Sequence, residues 1–107
     1  MARVLTVGAA QLGPIQKSEN RASVVKRMVS LMNAAKQKRC DLVVFPELAL
    51  TTFFPRWYMT DQGEIDQWFE SEMPNPDTQP LFDMARQANM AFHLGYAELS
   101  VESDHTH

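Results

Sequence analysis

The chain has 107 residues, 45% hydrophobic and 21% charged, with one cysteine and a formal net charge of −3. That balance suits a single domain-sized unit and argues against a disordered tract, a collagen-like repeat or a disulfide scaffold. The lone Cys40 has no internal disulfide partner, which fits a reducing, cytoplasmic setting.

Charge is distributed unevenly. Residues 1–39 hold eight of the ten Lys and Arg and one acid, Glu19, whereas residues 40–107 hold the other twelve acids with Arg56 and Arg86. Lys26, Arg27, Lys36, Lys38 and Arg39 fall on and just after a predicted helix, where cations favour the C-terminal dipole. No aromatic residues interleave them, so no nucleic-acid partner is expected. No apolar stretch approaches the roughly 20 residues of a membrane span, so no membrane partner is expected. The first apolar run is short and ends without an A-x-A pattern, and it reads as a strand rather than a leader.

In chain order, residues 4–10 (V-L-T-V-G-A-A) read as a buried first strand, ended by Gly13-Pro14. Ser18 or Asn20 supplies a helix cap. Val24, Val25, Met28, Leu31, Met32 and Ala35 then form one apolar stripe on a helix of about 18 residues. Lys26, Arg27, Ser30, Asn33 and Gln37 take the other face. Residues 42–45 (L-V-V-F) form a continuous apolar run, the mark of a strand buried on both faces. Strand, helix and strand make a βαβ unit with a right-handed crossover. Residues 48–60 are too aromatic for a bare solvent loop and read as packing over a core or as a pocket wall. Asp61 is placed to cap a short helix through Ile65, Trp68 and Phe69, and residues 73–77 are turn-rich. Pro80 opens a helix running to about Asn89. Residues 91–97 read as a third strand, and 98–102 as its half-exposed continuation.

Glu47 is the candidate catalytic residue. It follows a buried strand directly, and sites of open α/β folds gather at the carboxyl ends of strands. Beside Phe45, Phe53 and Phe54 it is expected to be partly desolvated, which raises a carboxyl pKa toward general-base work. The alternative is a carboxylate that caps the next turn or pairs with Arg56. Cys40 and Glu47 bracket one strand and sit roughly 20 Å apart at its opposite ends, so they do not share a proton. Lys17 alone among the lysines considered reaches the Glu47 end, and it reads as a surface lysine. His93 reads as a core histidine, and His105 and His107 make a weak H-x-H without further ligands. No metal site and no cofactor motif is expected. From the residues alone there is one candidate base without a partner.

Three blocks carry a resemblance: Val7-Gly8-Ala9-Ala10-Gln11-Leu12-Gly13-Pro14-Ile15, then Phe45-Pro46-Glu47-Leu48-Ala49-Leu50-Thr51-Thr52-Phe53-Phe54-Pro55-Arg56-Trp57, and Leu94-Gly95-Tyr96-Ala97-Glu98-Leu99. Together they resemble the nitrilase (carbon–nitrogen hydrolase) superfamily, and the longest string resembles its N-carbamoyl-D-amino acid amidohydrolase branch, the D-carbamoylases. The resemblance implies an α/β fold that is the N-terminal portion of an α-β-β-α sandwich, with residues 1–107 forming a partial, truncated domain. It implies a Glu-Lys-Cys triad in which Glu47 matches the Glu. The family's Lys and Cys, and its arginines for the substrate carboxylate, belong to later blocks, and Cys40 is not at the motif's cysteine position.

The implied activity is hydrolysis of an N-carbamoyl-D-amino acid to the D-amino acid, carbon dioxide and ammonia, without a cofactor. The implied parent is a cytoplasmic homo-oligomer acting on a small-molecule N-carbamoyl amino acid, with the 107 residues inactive on their own. No residue is assigned to substrate binding, although Phe53, Phe54 and Trp57 are candidates to shape the pocket. The alternatives are a non-catalytic nitrilase-like binding or oligomerisation module, or a segment of another branch such as a nitrilase or a β-ureidopropionase. Strands written for a two-sheet sandwich are also expected to leave one sheet face uncovered.

Overall fold

The computed structural model describes residues 3–100. The H-x-H of His105 and His107, and the proposed strand continuation at Val101 and Glu102, lie outside the described residues. Three short strands, β1 (Val7–Ala9), β2 (Leu42–Val44) and β3 (Ala91–His93), form a parallel sheet in the order β1-β2-β3. The chain crosses between them through α1 (Arg21–Gln37), α2 (Gln62–Asp66) and α3 (Gln79–Ala88). Both crossovers step the same way across the sheet. Right-handed connections therefore place their helices on one face, and α1 and α3 pack against each other there.

The register explains which side chains reach the core. Gly8, Val43 and Phe92 form one cross-strand row. Val43 is buried, and Phe92 packs edge-on against Phe82 of α3 at 5.2 Å. A Cβ at Gly8 would stand 3.1 Å from Cys40 Sγ and 3.9 Å from the Ala35 Cβ, so this row faces the helices. Strand side chains alternate. The flanking rows, Val7-Leu42-Ala91 and Ala9-Val44-His93, therefore face the side opposite α1 and α3.

This one-sidedness corrects three expectations. The first strand is not buried, since Val4, Leu5 and Val7 are 83%, 59% and 54% exposed. The second strand is not buried on both faces, because Leu42 and Val44 are only half-buried. His93 is no core histidine, because its row falls on the uncovered side and it is exposed. The strands are also shorter than their apolar runs, with three residues each.

The helix α1 follows its sequence closely. Asn20 is the cap, its Oδ1 accepting the Ser23 N–H at 2.8 Å. Val24, Val25, Met28, Met32 and Ala35 are buried, and Leu31 is half-buried at the edge of the stripe. The helix α3 sets Leu81 into the same core and ends at Asn89, whose φ of 51° is a left-handed conformation that asparagine tolerates. Asp61 occupies the N-terminal position of α2, but its side chain makes no capping hydrogen bond. Phe54 is buried beneath the following segment, stacked on Trp68 at 6.2 Å and tilted against Phe69.

One ion pair ties the start of α1 to the far segments. Arg21 Nε donates to Glu70 Oε1, and its Nη2 donates to the Gln67 carbonyl at 2.6 Å. Glu70 is buried, and its backbone bridges to residues 97–99 through hydrogen bonds of 2.7 and 2.8 Å. Removing one partner of a buried pair leaves an uncompensated charge. Arg21→Met is expected to destabilise the chain by about 3–5 kcal/mol in chemical denaturation, and the Arg21→Met, Glu70→Met double variant to recover much of that loss.

Candidate active site

The site is set by where β2 ends. The Phe45 N–H still donates to the His93 carbonyl at 3.1 Å, and Phe45 is buried. Pro46 has no N–H to continue the ladder, so the chain turns away. Glu47 follows at once. Leu48 then takes φ 49°, a left-handed conformation that costs a non-glycine residue about 1–2 kcal/mol. The next residues hold the turn in place. Ala49 donates its N–H to the Gly95 carbonyl at 3.0 Å, and Ala49 and Leu50 are fully buried. A Cβ at Gly95 would stand 3.6 Å from the Glu47 Cα, so the exit of β3 lies directly against this turn.

Glu47 lines a cleft of about 310 Å³ at the carboxyl end of the sheet. One wall is the loop 12–17, another is the turn 46–49, and the third is the segment 51–57. The aromatic stretch is therefore a pocket wall in part. Phe53 and Trp57 line the cleft, whereas Phe54 turns inward onto Trp68. The expected desolvation of Glu47 is not found, because Glu47 is exposed on the open side of the cleft. The pairing with Arg56 is not found either. Among the described residues the ion pairs are Arg21–Glu70 and Arg27–Glu19, and no hydrogen bond occupies the Glu47 carboxylate.

Cys40 belongs to a different crevice, bordered by Gly8, Ala35 and Lys38 at the start of β2. The sheet thus separates Cys40 from Glu47 as the strand spacing requires. Lys17, read from sequence as a surface lysine, is exposed and also lines the Glu47 cleft, with its Nζ 5.0 Å from the centre of the Trp57 ring. Arg56 approaches the same ring at 5.3 Å.

The loop wall is held by a residue that sequence reasoning placed only on the polar face of α1. Arg27 Nη2 donates to the carbonyls of Leu12 at 2.6 Å and Pro14 at 3.2 Å, while Nη1 donates to Glu19 Oε2 at 2.9 Å. Glu19 Oε1 also accepts the Gln16 N–H at 2.9 Å. Nothing in the local sequence of α1 signals this, since the acceptors lie 13 and 15 residues away and meet Arg27 only through the fold. Gly13 sits between the two gripped carbonyls with φ +80°, a conformation natural to glycine. Thr51 and Thr52, also lining the cleft, are buried and carried no sequence signal beyond their place in the aromatic block.

Two expectations follow for this wall. Gly13→Ala is expected to lower stability by about 1–2 kcal/mol through its positive φ, read as a lower denaturation midpoint. The second concerns pH. The Gln16 N–H, above all, holds the Glu19 carboxyl below its usual 4.5; desolvation opposes it, and the Arg27 guanidinium adds to the lowering through a hydrogen bond and its charge. A lowered folded-state pKa contributes stability that is complete above the unfolded value and is lost as pH falls through the folded one. The chain should therefore lose stability below pH 4.5, and Glu19→Gln should shallow that slope in denaturation series at graded pH.

Among known families, the model for the carbon–nitrogen hydrolases matches residues 6–107.

Proposed function

The chain belongs to the carbon–nitrogen hydrolase family, and we propose that it supplies Glu47 as the general base of an N-carbamoyl-D-amino acid hydrolase. The observation that carries this reading is the placement of Glu47. It leaves the central strand of a parallel sheet, stands on the rim of a cleft that its turn helps build, and has no ion-pair partner among the described residues. A carboxylate that is neither paired nor capping is free to accept a proton from a reacting group.

In the proposed chemistry Glu47 takes the proton of a cysteine thiol, and the thiolate attacks the carbamoyl carbon. A lysine ammonium stabilises the oxyanion that forms. The cysteine and the lysine are those of the family's later blocks. The net reaction consumes water and yields the D-amino acid, carbon dioxide and ammonia. Phe53 and Trp57 shape the side of the pocket that this chain provides. No cofactor enters the scheme.

The same reading takes residues 1–107 as part of a larger domain. The rows Val7-Leu42-Ala91 and Ala9-Val44-His93 present a largely apolar sheet face that is half-buried to exposed among the described residues. A second sheet laid there would complete an α-β-β-α sandwich and exclude water from the cleft. Such a protein is proposed to work as a cytoplasmic homo-oligomer. No described helix is long and apolar enough to cross a membrane.

The test is ammonia release from N-carbamoyl-D-amino acids. Residues 1–107 alone are expected to release none. Once the chain is joined to the segment bearing the family's Lys and Cys, turnover is expected, and Glu47→Gln should lower kcat by about 10²–10⁴-fold with little change in KM. Turnover by the 107 residues alone, or full activity in the Glu47→Gln enzyme, would overturn the assignment. A panel including N-carbamoyl-L-amino acids, nitriles and β-ureido acids identifies the branch.

A further inference from the structure

The lining of the Glu47 cleft divides by burial into a rim and a floor. Its charged members, Lys17, Glu47 and Arg56, are exposed. Its buried members are Leu12, Ala49, Thr51 and Thr52. Two of those four carry hydroxyls, and buried hydroxyls are as a rule hydrogen-bonded. Thr51 has a partner, since its Oγ1 donates to the Thr52 carbonyl at 3.0 Å. Thr52 differs. It is 3% exposed, and among the described residues its own hydroxyl neither donates nor accepts a hydrogen bond. A buried hydroxyl in that state is unfavourable unless a molecule in the adjoining space meets it. The space that Thr52 adjoins is the cleft.

The local sequence explains why the group is held there. Ala49 and Leu50 anchor the chain in the core immediately before, so the next two residues enter the floor rather than the rim. Threonine is β-branched and stiff at χ1, which leaves its hydroxyl few positions. The bond from Thr51 steadies the Thr52 peptide itself.

The chemistry of the floor selects its occupant. An ionised group there would lose its hydration, while the charges able to answer it stand on the exposed rim. A purely apolar group would leave the hydroxyl unpaired. A hydroxyl offers one donor and two acceptor sites, which suits a neutral group bearing both C=O and N–H. Amides and ureido groups are of that type. One placed polar group in an otherwise apolar floor is also how small-molecule pockets fix orientation.

We propose that Thr52 is a specificity-determining residue of this cleft, its hydroxyl hydrogen-bonding the neutral amide or ureido group of a bound substrate and discriminating against analogues that lack one. The proposal rests on the carbon–nitrogen hydrolase reading of the cleft and assigns recognition of the bond-bearing group to a residue of this chain. The hydroxyl is kept for the ligand and not for the fold, because it stabilises nothing until the cleft is occupied.

Binding tests this without turnover. N-carbamoylglycine and 4-methylpentanoate share one heavy-atom skeleton and one carboxylate, and differ in that the second has no ureido group. Each is titrated against the 107-residue chain by ligand-detected NMR. N-carbamoylglycine is expected to bind saturably and at least about tenfold more tightly than its carbon isostere. Thr52→Val should bring that ratio close to one, and Thr52→Ser should keep it. A denaturation series supplies the readout that a structural hydroxyl would move the other way. Removing an unpaired buried hydroxyl removes a penalty, so the Thr52→Val midpoint should equal or exceed that of the parent chain. Equal binding of the two probes, no saturable binding of N-carbamoylglycine, or an undiminished ratio in Thr52→Val overturns the proposal. So does a Thr52→Val midpoint below that of both the parent chain and Thr52→Ser, since the hydroxyl would then serve the fold. The Glu47 assignment is read in kcat of the joined enzyme and this one in a ratio of affinities, so the two can fail separately.

Discussion

The parallel pairing of β2 on both its edges governs the rest of the molecule. With β1 and β3 bonded to either side, β2 is fixed in register, and its last residues leave the sheet at one defined point. Pro46 stops the ladder there, and the next residue is the carboxylate on which the functional reading stands. The left-handed turn at Leu48 is unfavourable in isolation. It is sustained by burial of Ala49 and Leu50 and by the hydrogen bond to Gly95, which itself follows β3. The cleft is therefore a product of sheet geometry, and its acidic group is presented by a strand end rather than by a free loop.

The sheet is dressed on one side only. The stripe of α1, Leu81 of α3 and the row through Val43 make a dry core. The opposite rows of the same three strands meet no partner within the described residues. The described residues thus form a small domain of parallel strands and helices, consistent with the family membership.

Much of this was legible in the sequence because periodicity reports burial directly. The spacing of Val24, Val25, Met28, Met32 and Ala35 gave α1 and its buried face, and the apolar run at 42–45 gave β2. The position of Glu47 after that run located the strand-end site. The degree of burial was not legible. An apolar run looks the same whether its second face meets a helix, another sheet or nothing, so Val7, Val44 and His93 were placed in a core they do not reach. The walls of the cleft were also hidden. Arg27 grips carbonyls, which carry no side-chain identity, and Lys17 meets Trp57 across 40 residues of chain. Contacts of that kind exist only after the helices have docked.

The Arg27 grip has a consequence for how such a site can change over evolutionary time. Because the guanidinium holds main-chain oxygens at 12 and 14, and Glu19 holds the main-chain N–H at 16, the path of that wall does not depend on which side chains stand at the exposed positions 16 and 17. Those two positions nevertheless line the cleft. Mutational drift there is free to retune what the pocket prefers without loosening its frame, so substrate preference and scaffold integrity are inherited on separate residues.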